Sequence, residues 1–200
     1  MPRPLPARFA AAGLMGLVLI SQNHLRAEDE LLVDNDRVTI RQVAADPTQM
    51  QPDPKFDQVL IGLKNGDAEF VAKGARSQAL TEQTQMIVVT LKDHPVSPLK
   101  NGSGYPDAFP RPGVRKLEEN DRVIIWDYKW ISGVATPMHY HDKDVVVVYL
   151  GDGSLKSTTP DGESTVNDHY YGLTKFNARD RVHTETLVRG TARAVIIELK

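Results

Sequence analysis

The chain has 200 residues, with 24 Lys and Arg against 26 Asp and Glu, a formal net charge of -2 and no cysteine. That length suits one ordinary domain or two small units sharing a core. Without a basic tail or positive stripe there is no footprint for a nucleic-acid partner. The missing cysteines exclude disulfides, thiolate metal ligands and a cysteine nucleophile.

At the N-terminus, Arg3 and Arg8 precede an apolar stretch, residues 9–20, followed by the polar run Ser21-Gln22-Asn23-His24. This is the layout of a secretory signal peptide over residues 1–27, cut after Ala27. The mature chain is then expected to begin near Glu28 and to be periplasmic or secreted. The apolar run is too short for a comfortable membrane span, so no stable span is expected after processing.

The mature sequence reads as strands and turns. Runs rich in Val, Ile and Leu occupy residues 37–43, 58–63, 68–72 and 86–91, separated by turn signals such as Asn65-Gly66-Asp67. Residues 93–118 hold Pro95, Pro98, Pro106, Pro110 and Pro112 together with several glycines, and read as a long connection. Strands resume at 122–130, 145–150, 153–158 and 192–199. A turn or two of helix over 75–85 is the most that any helical period suggests. Many short strands point to an all-β sandwich or barrel.

The chain also repeats itself. Asn35-Asp36-Arg37-Val38 returns as Asn120-Asp121-Arg122-Val123, the run from Asp57 to Gly66 returns from Asp144 to Gly153, and Ile87-Val88-Val89 returns as Val195-Ile196-Ile197. The three matches keep their order, so residues 34–92 and 119–200 read as two copies of one β unit. The second copy carries an insertion, assigned mostly to a loop region at 158–178.

One stretch carries chemistry: Gly133-Val134-Ala135-Thr136-Pro137-Met138-His139-Tyr140-His141. Histidines one residue apart on a strand point to the same side of it and can offer two neutral nitrogens to one metal ion. Tyr140 then points away. In the first copy the ungapped alignment sets Pro52-Asp53-Pro54 opposite the pair, so that copy lacks the ligands. Asp57 stands opposite Asp144 where there is no metal site, which favours a structural role for both.

These residues resemble the first cupin motif, G-x5-H-x-H-x3-4-E-x6-G. Gly133, His139 and His141 fall at its spacing and Gly151 is read as its closing glycine, whereas Val145 and Val146 replace its glutamate. The second cupin motif is matched by His183, without its Pro and Gly and with Leu187 in place of its final Asn. The resemblance implies a two-sheet jelly-roll barrel, a bicupin-like chain whose first unit is degenerate, and His139, His141 and His183 as metal ligands. Three neutral imidazoles suit Fe, Mn, Zn, Ni or Cu, and leave the ion its full charge, which favours a small anionic substrate. Within the family such sites resemble those of thiol dioxygenases.

Further candidates follow from neighbourhood and alternation. Arg179 and Arg181, beside His183, could hold a carboxylate or phosphate, and Glu185 could replace the missing acid or act as a general base. Ile124, Trp126, Tyr128 and Trp130 share one strand face, an aromatic stripe that more often packs a core than lines a substrate site. The run 145–149 is apolar at both parities, so its second face needs cover from the first unit or from a second copy in a homodimer. Two functions stand open on sequence grounds: a metal-dependent oxygenase or oxidoreductase, and a non-catalytic module that binds a small ligand. A purely structural barrel is the third.

Overall fold

The computed structural model describes residues 29–44, 53–77, 85–94, 96–97 and 99–200. The expected signal peptide, residues 1–27, lies outside them. The described residues contain strands and turns and no helix, so none is long and apolar enough to cross a membrane.

The first unit supplies β1 (Glu30–Asp34), β2 (Val38–Ala44), β3 (Asp57–Gly62), β4 (Ala68–Val71) and β5 (Gln85–Leu91). The second supplies β6 (Val114–Glu119), β7 (Val123–Lys129), β8 (His139–His141), β9 (Asp144–Tyr149), β10 (Gly153–Thr158), β11 (Ser164–His169), β12 (Thr174–Asn177), β13 (Arg181–Gly190) and β14 (Arg193–Leu199). The first unit forms one antiparallel sheet, β1-β2-β5-β3-β4. The second forms a five-stranded sheet, β6-β7-β14-β9-β12, and a four-stranded sheet, β11-β10-β13-β8.

The repeat is structural. The two five-stranded sheets have the same strand order, and matched residues meet matched partners: Val38 opposes Leu91 as Val123 opposes Leu199, and Asp57 opposes Leu91 as Asp144 opposes Leu199. Asn35 and Asn120 make the same turn. The Oδ1 of Asn35 accepts from the backbone N–H of Arg37 and Val38 at 2.8 and 3.0 Å, that of Asn120 from Arg122 and Val123 at 2.9 and 3.1 Å. The arginines in these turns cross between the units. Arg37 reaches Asp144 at 3.4 Å and Arg122 reaches Asp57 at 3.1 Å.

Alternation then builds three layers. Val146, Val148, Val195 and Ile197 of the middle sheet pack with Val59, Ile61, Ile87 and Val89 of the first unit in one core. Val145, Val147 and Tyr149 face the other way, with Trp126, Tyr128, Trp130, Leu155 and Leu187, in the barrel interior. β9 is therefore apolar at both parities because it is covered on both faces, and its outer cover is the first unit. The aromatic stripe of β7 packs inside the barrel, as alternation indicates.

Three expectations change. Residues 114–118 of the expected connection form β6, which carries too few apolar residues to show a period. Residues 158–178 are not a loop: the extra chain between Tyr149 and Thr174 forms the β10–β11 hairpin, whereas the first unit connects Gly62 to Ala68 directly. β11 is exposed along nearly its whole length, so hydrophobic alternation leaves no trace in it. Residues 75–77 are not helical and Gln85 belongs to β5, while 78–84 lie outside the described residues.

Candidate metal centre

β8 pairs antiparallel with β13 in a register that sets His139 opposite His183 and His141 opposite Arg181. Period two then puts His139, His141, Arg181, His183 and Glu185 on one sheet face, toward the barrel interior. The three imidazoles meet there. His141 Nε2 lies 3.2 Å from His139 Nε2 and 3.2 Å from His183 Nε2, and the ligand nitrogens all fall within 4.8 Å of one another. Bonds of about 2.1 Å set nitrogens about 3.0 Å apart in octahedral and about 3.4 Å apart in tetrahedral geometry, so the two shorter separations suit a shared ion. Among the described residues this is the one cluster of three or more His, Cys, Asp or Glu side chains that could hold a metal.

Protonation fits as well. His139 is buried and its pKa is pushed down to about 3, by burial first and then by the guanidinium of Arg111. His141 is lowered further still, by burial and Arg181, and His183 is lowered by burial against the opposing pull of Glu185. All three are neutral at pH 7, the form that binds metal. His139 Nδ1 lies 2.8 Å from the Pro137 carbonyl, which assigns the proton to Nδ1 and frees Nε2. The Nδ1 of His141 is buried without a protein partner.

The remaining expectations sort cleanly. Val145 lines the cavity and Val146 faces the other core, so apolar walls stand where the cupin motif has its acid. Asp144 does not join the histidines: its Oδ1 accepts from Arg179 N at 2.9 Å, as Asp57 Oδ1 accepts from Lys73 N at 2.9 Å. That symmetry is the structural role the repeat suggests. Arg179 turns outward, to the Ser97 carbonyl at 2.8 Å. Tyr140 points away from the cluster and donates to Asp180 at 3.0 Å.

Glu185 reaches the cavity but lies outside the histidine cluster. Its Oε2 accepts from Trp130 Nε1 at 3.0 Å and from Arg111 NH2 at 3.4 Å. Trp130 thus leaves the aromatic stripe's structural role in part, since it also lines the cavity.

Arg111 is the residue that sequence reasoning missed. It lies in the Pro/Gly stretch, part of which runs along the free edge of β8: Ala108 N donates to the Tyr140 carbonyl and Tyr140 N to the Pro106 carbonyl, both at 2.8 Å. This brings Phe109 and Arg111 to the cavity. The guanidinium lies 4.7 Å from the ring centre of Phe109 and 4.4 Å from that of Tyr128. Its NH1 is 2.7 Å from His139 Nε2 and 3.2 Å from Nδ1, distances that set it beside the ring and not along the Nε2 lone pair. A metal's approach to His139 stays open. An isolated arginine among prolines carries no sequence signal of this role.

Comparison with known proteins gives partial matches. No family model matches the chain. A curated relative, the beta-alanine degradation protein BauB of Pseudomonas aeruginosa, is 39% identical over 61 residues, 30% of this chain and 60% of the relative's length. Among solved structures, a cupin domain protein of Bordetella pertussis is 27% identical with a TM-score of 0.41, covering 46% of this chain and 98% of that one. A cupin 2 conserved barrel domain protein of Leptotrichia buccalis is 12% identical with a TM-score of 0.49, covering 86% and 88% of the two chains.

Proposed function

On the premise of a cupin barrel, we propose that this chain binds a divalent metal through His139, His141 and His183 and acts as a metal-dependent oxidoreductase on a small anionic substrate. The observation that carries the reading is the pair of 3.2 Å separations between Nε2 atoms on two cross-paired strands. Three neutral nitrogens fit Fe, Mn, Zn, Ni or Cu, and a bound ion would supply Lewis acidity or, if redox-active, one-electron chemistry. The chain's own residues do the rest. Phe109 and Val145 give the cavity apolar walls, and Glu185, held by Trp130, is placed to take up or release a proton. A partial match to a protein named for the degradation of beta-alanine, itself a small carboxylate, supports the substrate class.

A second reading keeps the fold and the ligand but no turnover. Val145 in place of the motif's acid favours it, because an acidic ligand that tunes the metal is missing.

Elemental analysis decides the metal. Full-length protein supplied with iron, manganese, nickel, copper and zinc in turn is expected to retain close to one ion per chain, and His139→Ala to retain little. No retained ion under any supply would end the proposal. Ligand-dependent thermal stabilisation without product formation on any small carboxylate tried would favour the binding module. Export is part of the reading, and N-terminal sequencing of the protein recovered from cells is expected to begin at Glu28.

A further inference from the structure

The cavity beside the histidines is electrically unbalanced. Arg111, Arg181 and Glu185 are its charged lining residues, two cations against one anion. The Arg111 side chain is only 6% exposed, and its Nε is buried with no partner in the protein. Arg181 lines the same cavity from β13, in register opposite His141. A neutral histidine cluster adds no charge, and a bound dication would add two more positive charges. Buried charge of one sign calls for a counter-charge, and a buried orphan donor for an acceptor.

We propose that Arg111 and Arg181 form a carboxylate subsite beside the histidine cluster, which takes the anionic end of a small monocarboxylate while its other end faces the metal. Arg111 is the anchor, because its guanidinium is held in the corner made by the Phe109 and Tyr128 rings and the planar fork matches a carboxylate. The cavity volume is about 40 Å³, room for about three waters, so the ligand has few heavy atoms. Val145, Val147 and Ile196 line the same cavity and suit a short methylene chain. The second anchor of this ligand rests on the metal reading above.

Calorimetric titration of full-length protein with propionate, propionamide and inorganic phosphate, in metal-free and zinc-loaded forms, tests it. Zinc-loaded wild type is expected to bind propionate about tenfold or more tighter than propionamide, and more weakly when metal-free. Arg111→Met is expected to lose about tenfold in propionate affinity while holding or gaining zinc affinity, since a cation beside the metal is removed. Arg111→Lys, which keeps the charge and loses the fork, is expected to fall between. Should either variant fail to fold, the propionate-to-propionamide ratio of the metal-free wild type still decides, since zinc by itself would favour a carboxylate over an amide. The arginines alone are expected to keep propionate ahead there. Equal binding of the two, undiminished binding in Arg111→Met, or phosphate binding tighter than propionate would each overturn the subsite. The two readings fail separately. Absence of zinc uptake overturns the metal site, while absence of a preference for propionate in the metal-free protein overturns the arginine subsite.

Discussion

At the scale of single residues, burial separates groups that the sequence presents as equals. His139 carries an ordinary imidazole, yet burial and Arg111 hold its pKa down to about 3. The unfolded chain takes up a proton near pH 6.5 that the folded chain refuses, so stability is full above that pH and falls as the pH drops toward 3. Metal-free protein should lose about 1 kcal/mol for each such histidine between pH 7 and 5.5, read as a falling urea midpoint. His139→Phe should remove one histidine's share of that dependence and leave that of His141, and a midpoint that ignores pH would contradict the shift. The crossing ion pairs differ in the same way. The side chains of Arg37 and Asp144 are 11% and 9% exposed, those of Arg122 and Asp57 33% and 15%. Removing one partner of a buried pair strands the other, so Arg37→Ala should cost about 3 kcal/mol and Arg122→Ala about 1 kcal/mol in chemical denaturation. The opposite order would show that exposure does not set the difference.

At the scale of elements, backbone geometry at the ends of strands decides what can change. Gly190 ends β13 at a φ of 71°, and a Cβ there would stand 2.2 Å from the Asp152 carbonyl oxygen. Gly162, in the β10–β11 turn, also has positive φ but nothing within 4 Å. Both substitutions to alanine strain the backbone, and the first adds a collision with main chain that cannot move aside. Gly162→Ala should therefore cost about 1 kcal/mol and Gly190→Ala about 3 kcal/mol, measured by thermal or urea unfolding. A Cβ at Gly151 would lie 2.7 Å from Thr191 Oγ1, a milder conflict, because that hydroxyl belongs to a side chain and not to the backbone. Elements also differ in how far sequence reveals them. β9 and β14 show as apolar runs because both of their faces are buried, and β5 nearly so, its second face being half-buried at Val88 and Thr90. β11 is held by backbone pairing to β10 while its side chains stay in water, so it has no pattern to read.

At the scale of the whole molecule, the first unit serves the second without sharing its chemistry. Its sheet covers the outer face of the middle sheet, where Val123, Ile125, Val146, Val148, Val195 and Ile197 would otherwise meet water. Patches of that kind drive association. Residues 99–200 expressed without the first unit should aggregate or self-associate through this face, as size-exclusion chromatography would show. The full chain should unfold in one transition, because one core spans both units. A soluble monomer of the fragment, or two resolved transitions in the full chain, would show that the units fold independently.

The sequence by itself determined the β class, the repeat, the faces of β7 and β9, and the shared side of His139 and His141, because period-two alternation and motif spacing are local properties of the chain. His183 joined them only through the resemblance to the cupin motifs, and the β8–β13 register is what brings it to the pair. Tertiary structure alone decided that the first unit is a single covering sheet and that Asp144 belongs to a crossing ion pair. It also decided that Arg111, out of a proline-rich connection, stands beside His139. Those facts depend on which surfaces meet, and contacts between residues distant in sequence leave no periodicity for the sequence to show.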